Sequence, residues 1–432
     1  MSARATPYWW EYAGAPASPP QTPLPDEADV VVIGAGLTGL SAARTLARNG
    51  KSVLALDAAA PGAGASARNG GMIGGGHRLS LDDMEARFGP TVAHGLLREA
   101  HLDSFAFVRA VIEDEEIACD FAETGRFRGF WRSSEYEATA RWLARVQTVI
   151  PLEAEMIPKA RQRQEVASDL YAGGVVFPRH GALNPAKLVA GLMAAAQRAG
   201  ATVQGDTPVL SLSRAQGGFR IETARGTVKA GQVLAATNGY TNAALPSLRR
   251  RINQIPSFIV ASEPLGENRV RDLFPSGRMI VESRERHCYY RPSPDGKRLV
   301  FGGRAALFEA PENFTTSALR GLIAEVFPDL GPIEFSHAWR GRTGFSFDFL
   351  PNVGQIDGVW HALGYSGSGN AMAPWLGHKA ALLMLGDPEG ETAFSQTRLP
   401  TRWWHRGRPW FLPFADALFR ARDVAASFGR SA

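Results

Sequence analysis

The chain has 432 residues, more than one typical hydrophobic core holds, so its length predicts two domains. Its net charge of +5 is concentrated at one end, because residues 398–432 hold seven arginines and two aspartates. The remaining 397 residues carry 40 basic and 40 acidic side chains, which argues against a nucleic-acid-binding protein.

Cysteine content and hydropathy exclude further classes of protein. The two cysteines, Cys119 and Cys288, provide no disulfide framework, and neither cysteine nor histidine spacing indicates a metal site. The N-terminal residues lack the charged and apolar regions of a secretory signal, and no run of 18 apolar residues predicts a membrane span. We therefore expect a protein of the reducing cytoplasm.

Residues 1–25 are rich in proline, which predicts an extended arm before the first strand. The aromatic side chains of Tyr8, Trp9 and Trp10 are expected to pin this arm to the body of the protein.

Residues 29–57 combine a strand, a glycine turn, a helix and a second strand. The apolar runs at 30–33 and 53–56 are typical of buried strands, and the helix predicted between them ends at Gly50. The turn has the spacing G-x-G-x-x-G, formed by Gly34, Gly36 and Gly39.

These glycines and the acid that ends the unit each have a role in binding a dinucleotide. Gly34 permits the tight turn, Gly36 lets a pyrophosphate approach the backbone, and Gly39 lets the helix pack closely on the strand. The helix N-terminus favours phosphate oxygens, and Asp57 is placed to accept a hydrogen bond from a ribose hydroxyl. The motif does not separate NAD from FAD, and the alternative is a glycine-rich turn without a ligand.

Glycine and other small residues dominate 61–76, which predicts a loop whose backbone approaches a flat ligand. The alternative is a flexible surface loop. Charged helical segments then fill 82–170, among them 92–115 and 131–149, and indicate a second domain.

Apolar character returns at Tyr171. A helix is predicted from the N-cap Asn184 to about Ala199, before Gly200. Strands are predicted at 209–213, 219–223 and 233–236.

A hairpin is predicted at 287–304, with a turn at 294–296. His287, Tyr289 and Arg291 alternate with their neighbours, so these three side chains share one face of the first strand. Residues 339–354 indicate loops, and 359–363 a strand. The glycines of 364–369 then precede a helix over 371–385, a second helix N-terminus able to face a ligand.

Four separated stretches together resemble one family: GAGLTG at 34–39, ASARNGG at 65–71, VLAATNGY at 233–240 and GYSGSGNAMAP at 364–374. In these stretches the chain is similar to the FAD-dependent amine and amino-acid oxidoreductases of the D-amino-acid oxidase superfamily. The order and the residues of these stretches look most like those of the γ-glutamylputrescine oxidase branch, near the sarcosine and glycine oxidases.

The resemblance implies an α/β fold in which a Rossmann-like FAD-binding domain is interleaved with a mixed-sheet α+β substrate domain. The FAD-binding domain would take residues 26–84, 172–250 and 340–397. The substrate domain would take 85–171 and 251–339, leaving 398–432 as a C-terminal tail.

The resemblance also assigns cofactor contacts residue by residue. Gly34, Gly36 and Gly39 would hold the pyrophosphate and Asp57 the adenosine ribose. The flavin ring and phosphate chain would be lined by Ser66, Arg68, Asn69, Gly70 and Gly71, with the backbone of Val209 at the adenine. The flavin pyrimidine edge would face Gly364, Ser366, Gly367, Ser368, Gly369 and Asn370. FAD is expected to bind non-covalently, because residues 65–71 hold no histidine and 342–347 no cysteine at the positions where some relatives tether it.

The substrate candidates are His77, Tyr289, Tyr290, Arg291, Arg304 and Trp339. As alternatives, the tyrosines are ordinary strand residues and the arginines form surface ion pairs.

The activity implied is oxidation of an amine C–N bond, with hydride transfer to flavin N5 and hydrolysis of the imine. It requires no protein nucleophile, and the electron acceptor is dioxygen or another molecule. One alternative is a membrane-associated flavin dehydrogenase that passes electrons to a quinone, suggested by the aromatic and basic tail. The other is a flavin-binding protein without catalysis. Within the tail, Leu418, Ala421, Ala425 and Phe428 recur at helical spacing and predict a buried face.

One position bears on the substrate class. Amino-acid-oxidising relatives often place an arginine two residues after the glycine of a tryptophan–glycine motif. Here Trp339 and Gly341 match, but Thr343 occupies that position, and Arg342 comes one residue early, on the opposite face of an extended segment. We therefore expect an amine whose reacting carbon need not carry a carboxylate, such as a γ-glutamylputrescine-like amine. Arg291 or Arg304 remains available for a remote acidic group.

Overall fold

The structure is a computed structural model that describes residues 3–76 and 78–428, without the side chains of 424–428. The strands are β1 (Glu27–Ile33), β2 (Val53–Leu56), β3 (Met72–Ile73), β4 (Arg126–Gly129), β5 (Glu155–Ile157), β6 (Gly174–Phe177), β7 (Gly181–Ala182), β8 (Thr202–Gln204), β9 (Val209–Ala215), β10 (Gly218–Thr223), β11 (Gly226–Ala235), β12 (Asn253–Ser262), β13 (Met279–Glu282), β14 (Cys288–Pro292), β15 (Leu299–Gly303), β16 (Phe335–Phe345), β17 (Asn352–Ile356) and β18 (Val359–Leu363).

The helices are α1 (Trp10–Ala13), α2 (Leu37–Arg48), α3 (Leu81–Phe88), α4 (Pro90–Arg98), α5 (Ser104–Asp114), α6 (Ser133–Gln147), α7 (Pro185–Arg198), α8 (Pro246–Arg249), α9 (Glu267–Leu273), α10 (Glu312–Val326), α11 (Gly369–Leu385) and α12 (Leu412–Phe428). A π-helical turn, Glu99–Asp103, separates α4 from α5.

The first sheet has the order β17-β18-β11-β1-β2-β8, and the β9–β10 hairpin extends from β11. Its central strands are parallel, since β1 pairs in parallel with β11 and β2, and β11 pairs in parallel with β18. The loops that follow β1, β11 and β18 therefore leave the same edge of the sheet. This edge carries the three glycine-containing stretches at 34–39, 236–240 and 364–369.

The apolar runs predicted at 30–33 and 53–56 are strands whose residues are all buried, because the sheet is covered on both faces. Helix α11 crosses α2 so closely that a Cβ at Gly377 would overlap the carbonyl of Thr38. The predicted helix at 184–199 is α7, and the side chain of Asn184 caps it by accepting from the backbone N–H groups of Ala186 and Lys187.

The second sheet has the order β16-β12-β15-β14-β13-β4-β6-β5 and is mixed, because β13 and β4 are parallel whereas β14 and β15 are antiparallel. The latter pair is the predicted hairpin. Helix α10 packs Leu319, Leu322 and Ile323 into the apolar core on one side of this sheet. The α/β fold with two sheets in separate parts of the molecule agrees with the predicted fold class.

Two strands depart from the predicted division of the chain. Strand β6 pairs with β4 and β5, so residues 174–177 belong to the second sheet, although the resemblance placed them in the FAD-binding part. Strand β16 continues along β12 as far as Phe345, so the segment predicted as loops at 339–345 is a strand of the second sheet.

The single helix predicted at 92–115 is interrupted at the π-helical turn, and its second half packs on the FAD-binding part. In that turn the carboxylate of Glu99 accepts from Trp375 Nε1 (2.9 Å) and from the backbone N–H of Ala393 (2.7 Å). After α5, the side chain of Glu115 is buried and pairs with Arg44 of α2 (2.6 Å) and Arg198 of α7 (2.7 Å). These carboxylates fix residues 99–115 to the first sheet's helices.

The N-terminal arm and helix α12 are both anchored to the body of the protein. Tyr8 and Trp9 are fully buried, as predicted for the arm. The predicted apolar face of the tail is wrong, because Leu418 of α12 is 51% exposed and Ala421 is also exposed. Ala425 and Phe428 lie outside the described side chains.

The buried face of α12 is acidic instead. Asp416 accepts from the backbone N–H of Leu307, and Asp423 accepts from the backbone N–H groups of Glu285 and Arg286. The two aspartates are seven residues apart, about two helical turns, so they lie on one face. Among the described residues, no helix is long and apolar enough to cross a bilayer.

Candidate active site

The turn between β1 and α2 is shaped by its glycines. Gly34 has a φ of +101°, and a Cβ there would lie 2.9 Å from the carbonyl oxygen of Ala236. A Cβ at Gly39 would overlap the carbonyl of Gly34, so the helix packs on the strand as predicted. Gly36 has an ordinary φ of −88°, and a Cβ there would meet the Oγ of Ser66 at 2.7 Å. Ser66 Oγ also accepts from the backbone N–H of Leu37 (3.1 Å), so Ser66 lies at the N-terminus of α2, where the pyrophosphate is predicted to bind.

Asp57 lies at the end of β2, beside that turn. Its Oδ2 accepts from the backbone N–H of Ala35 (2.9 Å) and its Oδ1 from that of Ala59 (3.2 Å). Burial raises the pKa of Asp57, and the backbone donors oppose that effect. Each oxygen keeps a lone pair for a further donor, which fits a ribose hydroxyl.

The loop at 65–71 is shaped by one of its own side chains, Asn69, and is not a flexible surface loop. The amide nitrogen of Asn69 donates to the carbonyls of Ala65 (3.1 Å) and Ser66 (2.8 Å). Its Oδ1 accepts from the backbone N–H of Gly71 (2.9 Å) and from Nδ2 of Asn370 (2.8 Å). Asn69 therefore fixes the loop's shape and joins it to the first turn of α11.

Indole groups from two other segments hold the same loop. Trp9 Nε1 donates to the carbonyl of Asn69 and Trp339 Nε1 to that of Arg68, each at 2.7 Å. Arg68 itself donates to the carbonyl of Ala63 (2.7 Å) and lies over the Trp10 ring. The N-terminal arm thus supports the predicted flavin-binding loop directly.

The loop before α11 converges on the same place. Ser366 (φ +51°) and Gly367 (φ +109°) lie in the left-handed region, and the side chain of Asn238 accepts from the backbone N–H of Gly364 (3.0 Å). The hydroxyls of Tyr365 and Thr38 are 2.7 Å apart, so they link the N-termini of α11 and α2. Two helix dipoles thereby present their positive ends to one region, as a flavin and a pyrophosphate require.

A cavity of about 730 Å³ lies between the two sheets at this point, within the size range of small-molecule sites. The predicted residues that line it are Arg68, Asn69, Gly70, Ser366, Gly367, Ser368, Asn370, Tyr289 and Arg304. The predicted cofactor residues outside its lining are Gly34, Gly36, Gly39, Asp57, Ser66, Gly71, Val209, Gly364 and Gly369. Val209 is buried in the apolar cluster on one face of the first sheet.

Tyr289 is a predicted substrate residue that lies beside the flavin-binding loop and also lines the cavity. A Cβ at Gly70 would lie 2.8 Å from its ring, and one at Gly302 would overlap it. Its hydroxyl is 3.0 Å from Ser257 Oγ, and burial raises the pKa of Tyr289 to about 12. The phenol is therefore neutral at ordinary pH and able to donate or accept one hydrogen bond.

Three other predicted substrate residues lie outside the cavity lining. Tyr290 points into the opposite core, where its hydroxyl is 2.5 Å from that of Tyr171. Arg291 is 4% exposed, and its Nη1 donates to the carbonyls of Gly71 (2.8 Å) and Leu183 (3.0 Å). The indole N–H of Trp339 donates to the carbonyl of Arg68 in the flavin-binding loop. These side chains support the site from behind rather than face a substrate, and His77 lies outside the described residues.

The cavity also contains residues that the sequence analysis did not select. They include Arg78, His101, Arg126, Arg128, Trp142, Ser257, His287 and Phe345. Arg126 and Arg128 alternate on β4, a period-two signal within the stretch RFRG that could have indicated a shared face.

The parallel sheet, the glycine turn, the acid after β2 and the paired helix N-termini fit FAD, and together with the cavity against a second sheet they define a two-domain flavin-dependent oxidoreductase. Residues 29–383 match the family described as DAO, FAD dependent oxidoreductase, and the chain belongs to this family. The predictions of family, fold class and FAD are confirmed.

Similar proteins span nearly the whole chain. A probable oxidoreductase OrdL of Rhizobium meliloti (strain 1021) is 33% identical over 91% of this chain and 92% of its own length. The gamma-glutamylputrescine oxidoreductase of Escherichia coli (strain K12) is 28% identical over 91% of this chain and 92% of its own length. The crystal structure of glycine oxidase from Geobacillus kaustophilus has a TM-score of 0.72 at 22% identity and covers 87% of this chain and 99% of its own.

Proposed function

We propose that the protein oxidises the C–N bond of a primary or secondary amine of the γ-glutamylputrescine type. Bound FAD supplies the hydride acceptor, and the imine product is then hydrolysed by water. The similarity to a gamma-glutamylputrescine oxidoreductase supports this substrate class. We place the reaction in the cytoplasm, with dioxygen or another molecule as the electron acceptor.

The direction of side chains on β16 carries the proposal. Gly341, Thr343 and Phe345 line the cavity, whereas Arg342 does not. Arg342 Nε lies 3.1 Å from the carboxylate of Glu309, away from the cavity. The strand therefore offers threonine where an arginine would hold a carboxylate on the reacting carbon, and simple α-amino acids lack that bidentate partner.

The cavity also favours an amine in its neutral form, which hydride transfer requires. Six arginines line it, and nearby positive charge lowers the pKa of a bound ammonium group. His287 lies among them, and burial together with Arg304 and Arg78 holds the pKa of His287 well below its usual range. Its Nδ1 is 3.0 Å from the carbonyl of Glu282, which can only accept, so Nδ1 carries the proton and Nε2 is left as an acceptor. We assign His287 Nε2 the role of accepting a hydrogen bond from the amine.

A panel of amines tests the proposal under anaerobic conditions, with flavin absorbance as the readout. We expect γ-glutamylputrescine and related long amines to reduce the flavin, with kcat/KM exceeding that for sarcosine, glycine and D-alanine by orders of magnitude. If one of the simple amino acids is the best substrate, the argument from Thr343 is wrong.

The second candidate, a dehydrogenase that delivers electrons to a membrane quinone, rests on the tail. Trp403, Trp410 and Phe414 are 84%, 63% and 73% exposed, and exposed arginines lie between them in the chain. Aromatic and basic side chains together suit a membrane surface. Sedimentation with anionic vesicles and reduction of a soluble quinone analogue would favour this candidate, and fast reoxidation by dioxygen would favour an oxidase.

A further inference from the structure

The cavity wall contributed by the second sheet and the loop after β3 is strongly cationic. Arg126 and Arg128 reach it from β4, Arg304 from the end of β15, and Arg78 from the loop after β3. Burial lowers the pKa values of all four. In addition, the charge of Arg128 lowers the pKa of Arg126, and that of Arg78 lowers the pKa values of Arg128 and Arg304. By surface exposure Arg126 and Arg304 are half-buried, whereas Arg78 and Arg128 are exposed. Crowding like charges is unfavourable unless an anion joins them.

None of these four arginines is ion-paired with a carboxylate among the described residues, and two of them, Arg304 and Arg78, lie together. Among the described residues, no carboxylate oxygen lies within 4.0 Å of the guanidinium of Arg304 or of Arg78. Both lie against the same ring, since the guanidinium carbons of Arg304 and Arg78 are 4.8 and 5.8 Å from the centre of Phe345. Burial, reinforced by Arg78, lowers the pKa of Arg304 to about 9, so it stays cationic at neutral pH.

Two acids, Glu282 and Glu285, line the cavity beside this cluster, and neither is ion-paired with it. Glu282 is buried and ion-paired with Arg284, which donates to it from two nitrogens. Glu285 is exposed, and its nearest cation is Arg422 of α12 at 3.9 Å. The charge of Glu285 raises the pKa values of Arg78 and Arg304, but its carboxylate forms no ion pair with either guanidinium group among the described residues. A ligand carboxylate in the cavity would therefore give both arginines the direct partner that the described protein does not supply.

The cofactor's phosphates do not provide that charge. The pyrophosphate site is at Gly36 and the N-terminus of α2, on the first sheet, whereas Arg304 ends a strand of the second sheet. The cavity between them is lined by the flavin loop on one side and by the arginines on another. The arginine cluster thus belongs to the substrate's part of the cavity.

We propose that the substrate amine carries a carboxylate several bonds away from the carbon that is oxidised, and that Arg304, assisted by Arg78, binds this carboxylate. The planar fork of Arg304 matches a carboxylate, and its position on Phe345 fixes the plane of that fork. The inference rests on the proposed function, because it names the chemical group that selects one class of amine. The remote carboxylate would be bound by Arg304, at the end of β15. The position where relatives bind a carboxylate on the reacting carbon is Thr343, on β16.

Matched amines test the proposal on the purified holoenzyme. One pair is γ-glutamylputrescine and 4-aminobutyrylputrescine, which differ by a single carboxylate, and another is 6-aminohexanoate and hexylamine. We expect the carboxylated member of each pair to reduce the flavin with a kcat/KM roughly 10- to 100-fold higher, as a charge-assisted bidentate pair provides. Arg304→Met should reduce this preference to below about threefold, and Arg304→Lys should retain part of it.

Two controls separate this effect from damage to the fold. Arg271→Met removes an exposed arginine of α9 outside the cavity and should leave the preference unchanged. The flavin content of Arg304→Met should equal that of the wild type, because the pyrophosphate site is remote from it. Equal kcat/KM within both pairs for the wild type, or a full preference in Arg304→Met, would overturn the proposal.

A binding measurement distinguishes failure of this inference from failure of the proposed function. Adipate carries carboxylates but no amine, so its perturbation of the flavin spectrum reports the anion site without turnover. We expect its Kd to rise at least tenfold in Arg304→Met and to stay unchanged in Arg271→Met. If no amine reduces the flavin but adipate binding still depends on Arg304, the proposed function is wrong and the anion site stands. If adipate binds both forms equally, the anion site is wrong.

Discussion

Gly36 is the residue at which cofactor binding and folding separate most clearly. Its φ of −88° suits any residue, so Gly36→Val introduces no backbone strain, but its Cβ would meet Ser66 Oγ at 2.7 Å and fill the pyrophosphate path. We expect the purified variant to be folded by circular dichroism and to lack flavin absorbance.

Gly39→Ala provides the contrasting control, since its Cβ would overlap the carbonyl of Gly34 and push α2 off the strand. That variant should lose both flavin and thermal stability. A yellow Gly36→Val protein with full flavin content would contradict the assignment of the pyrophosphate site.

Non-covalent attachment of FAD is a second expectation at the scale of single residues. Residues 65–71 contain no histidine or cysteine, and both cysteines are buried and absent from the cavity lining in the described part of the chain. Burial raises the pKa of the Cys288 thiol well above its usual range, which disfavours the reactive thiolate. Acid precipitation should release all flavin into the supernatant, and yellow colour in the washed pellet would show a covalent bond.

Arg342 tests the side-chain directions on β16. It faces away from the cavity and forms a half-exposed ion pair with Glu309, an interaction worth at most about 1 kcal/mol. Arg342→Ala should therefore change kcat/KM for the best amine by less than about threefold. A loss of a hundredfold or more, with flavin content intact, would mean that Arg342 reaches the substrate and that the face assignment is wrong.

The sequence indicated which backbone positions must be glycine better than it indicated which side chains reach the cavity, and the reason is physical. A glycine that must leave space for a backbone or a phosphate has few substitutes, so its position in a motif carries the information. Side chains along a strand alternate strictly between its two faces, and this alternation predicts that Tyr289 and Arg291 share one face. It does not predict how far each side chain reaches. Arg291 donates to the carbonyl of Gly71 and so lies beneath the flavin-binding loop. Tyr289, two residues earlier on the same face, lines the cavity.

At the scale of elements, α12 is fixed by Asp423, which also braces the cavity wall. Asp423 accepts from Arg286 Nε (2.9 Å) and from the backbone N–H of Glu285, a residue of the cavity lining. Asp423→Asn removes a buried charge-assisted pair worth about 1.5–3 kcal/mol. We expect a lower melting temperature and a higher KM with little change in kcat.

Arg422→Gln is the matched control on the same helix, because Arg422 is exposed and its nearest acid is 3.9 Å away. It should match the wild type in both melting temperature and KM. If Asp423→Asn also matches the wild type, α12 does not support the cavity wall.

Elements with local signals were predicted closely. Helix α7 begins at Pro185 after the N-cap Asn184, because that asparagine satisfies two free N–H groups. Helix α12 was predicted with the wrong buried face, since its partners are backbone N–H groups of distant loops that no helical periodicity reveals. The interruption between α4 and α5 was missed for the same reason, as Glu99 is drawn inward by Trp375 and Ala393.

At the scale of the whole molecule, the interleaved chain brings buried histidines into the packed interior. His361 is 2% exposed on β18, with Nε2 2.7 Å from Asn352 Oδ1, and burial lowers the pKa of His361 to about 4. His180 is equally buried, and burial together with Arg126 holds its pKa well below the usual range. Both side chains are therefore neutral in the folded protein across the physiological range.

Acid should therefore destabilise the fold before its carboxylates titrate fully. In the unfolded chain a histidine has a pKa of about 6.5, so below that pH the unfolded state binds a proton, whereas His361 in the folded state stays unprotonated. The free energy of unfolding should fall as pH drops from about 6.5 towards 4, by up to roughly 3 kcal/mol for His361 alone. Urea unfolding of the FAD-saturated protein at pH 7.5, 6.0 and 5.0 measures this slope.

His361→Gln isolates the contribution of this one group, because glutamine keeps a donor for Asn352 without titrating. The comparison also cancels Asp57, whose raised pKa acts in the opposite direction and stabilises the folded state as pH falls. The variant should show a flatter dependence of the free energy of unfolding on pH than the wild type. Parallel curves for the two proteins would mean that His361 takes up its proton in the folded state, and so that water reaches the end of β18.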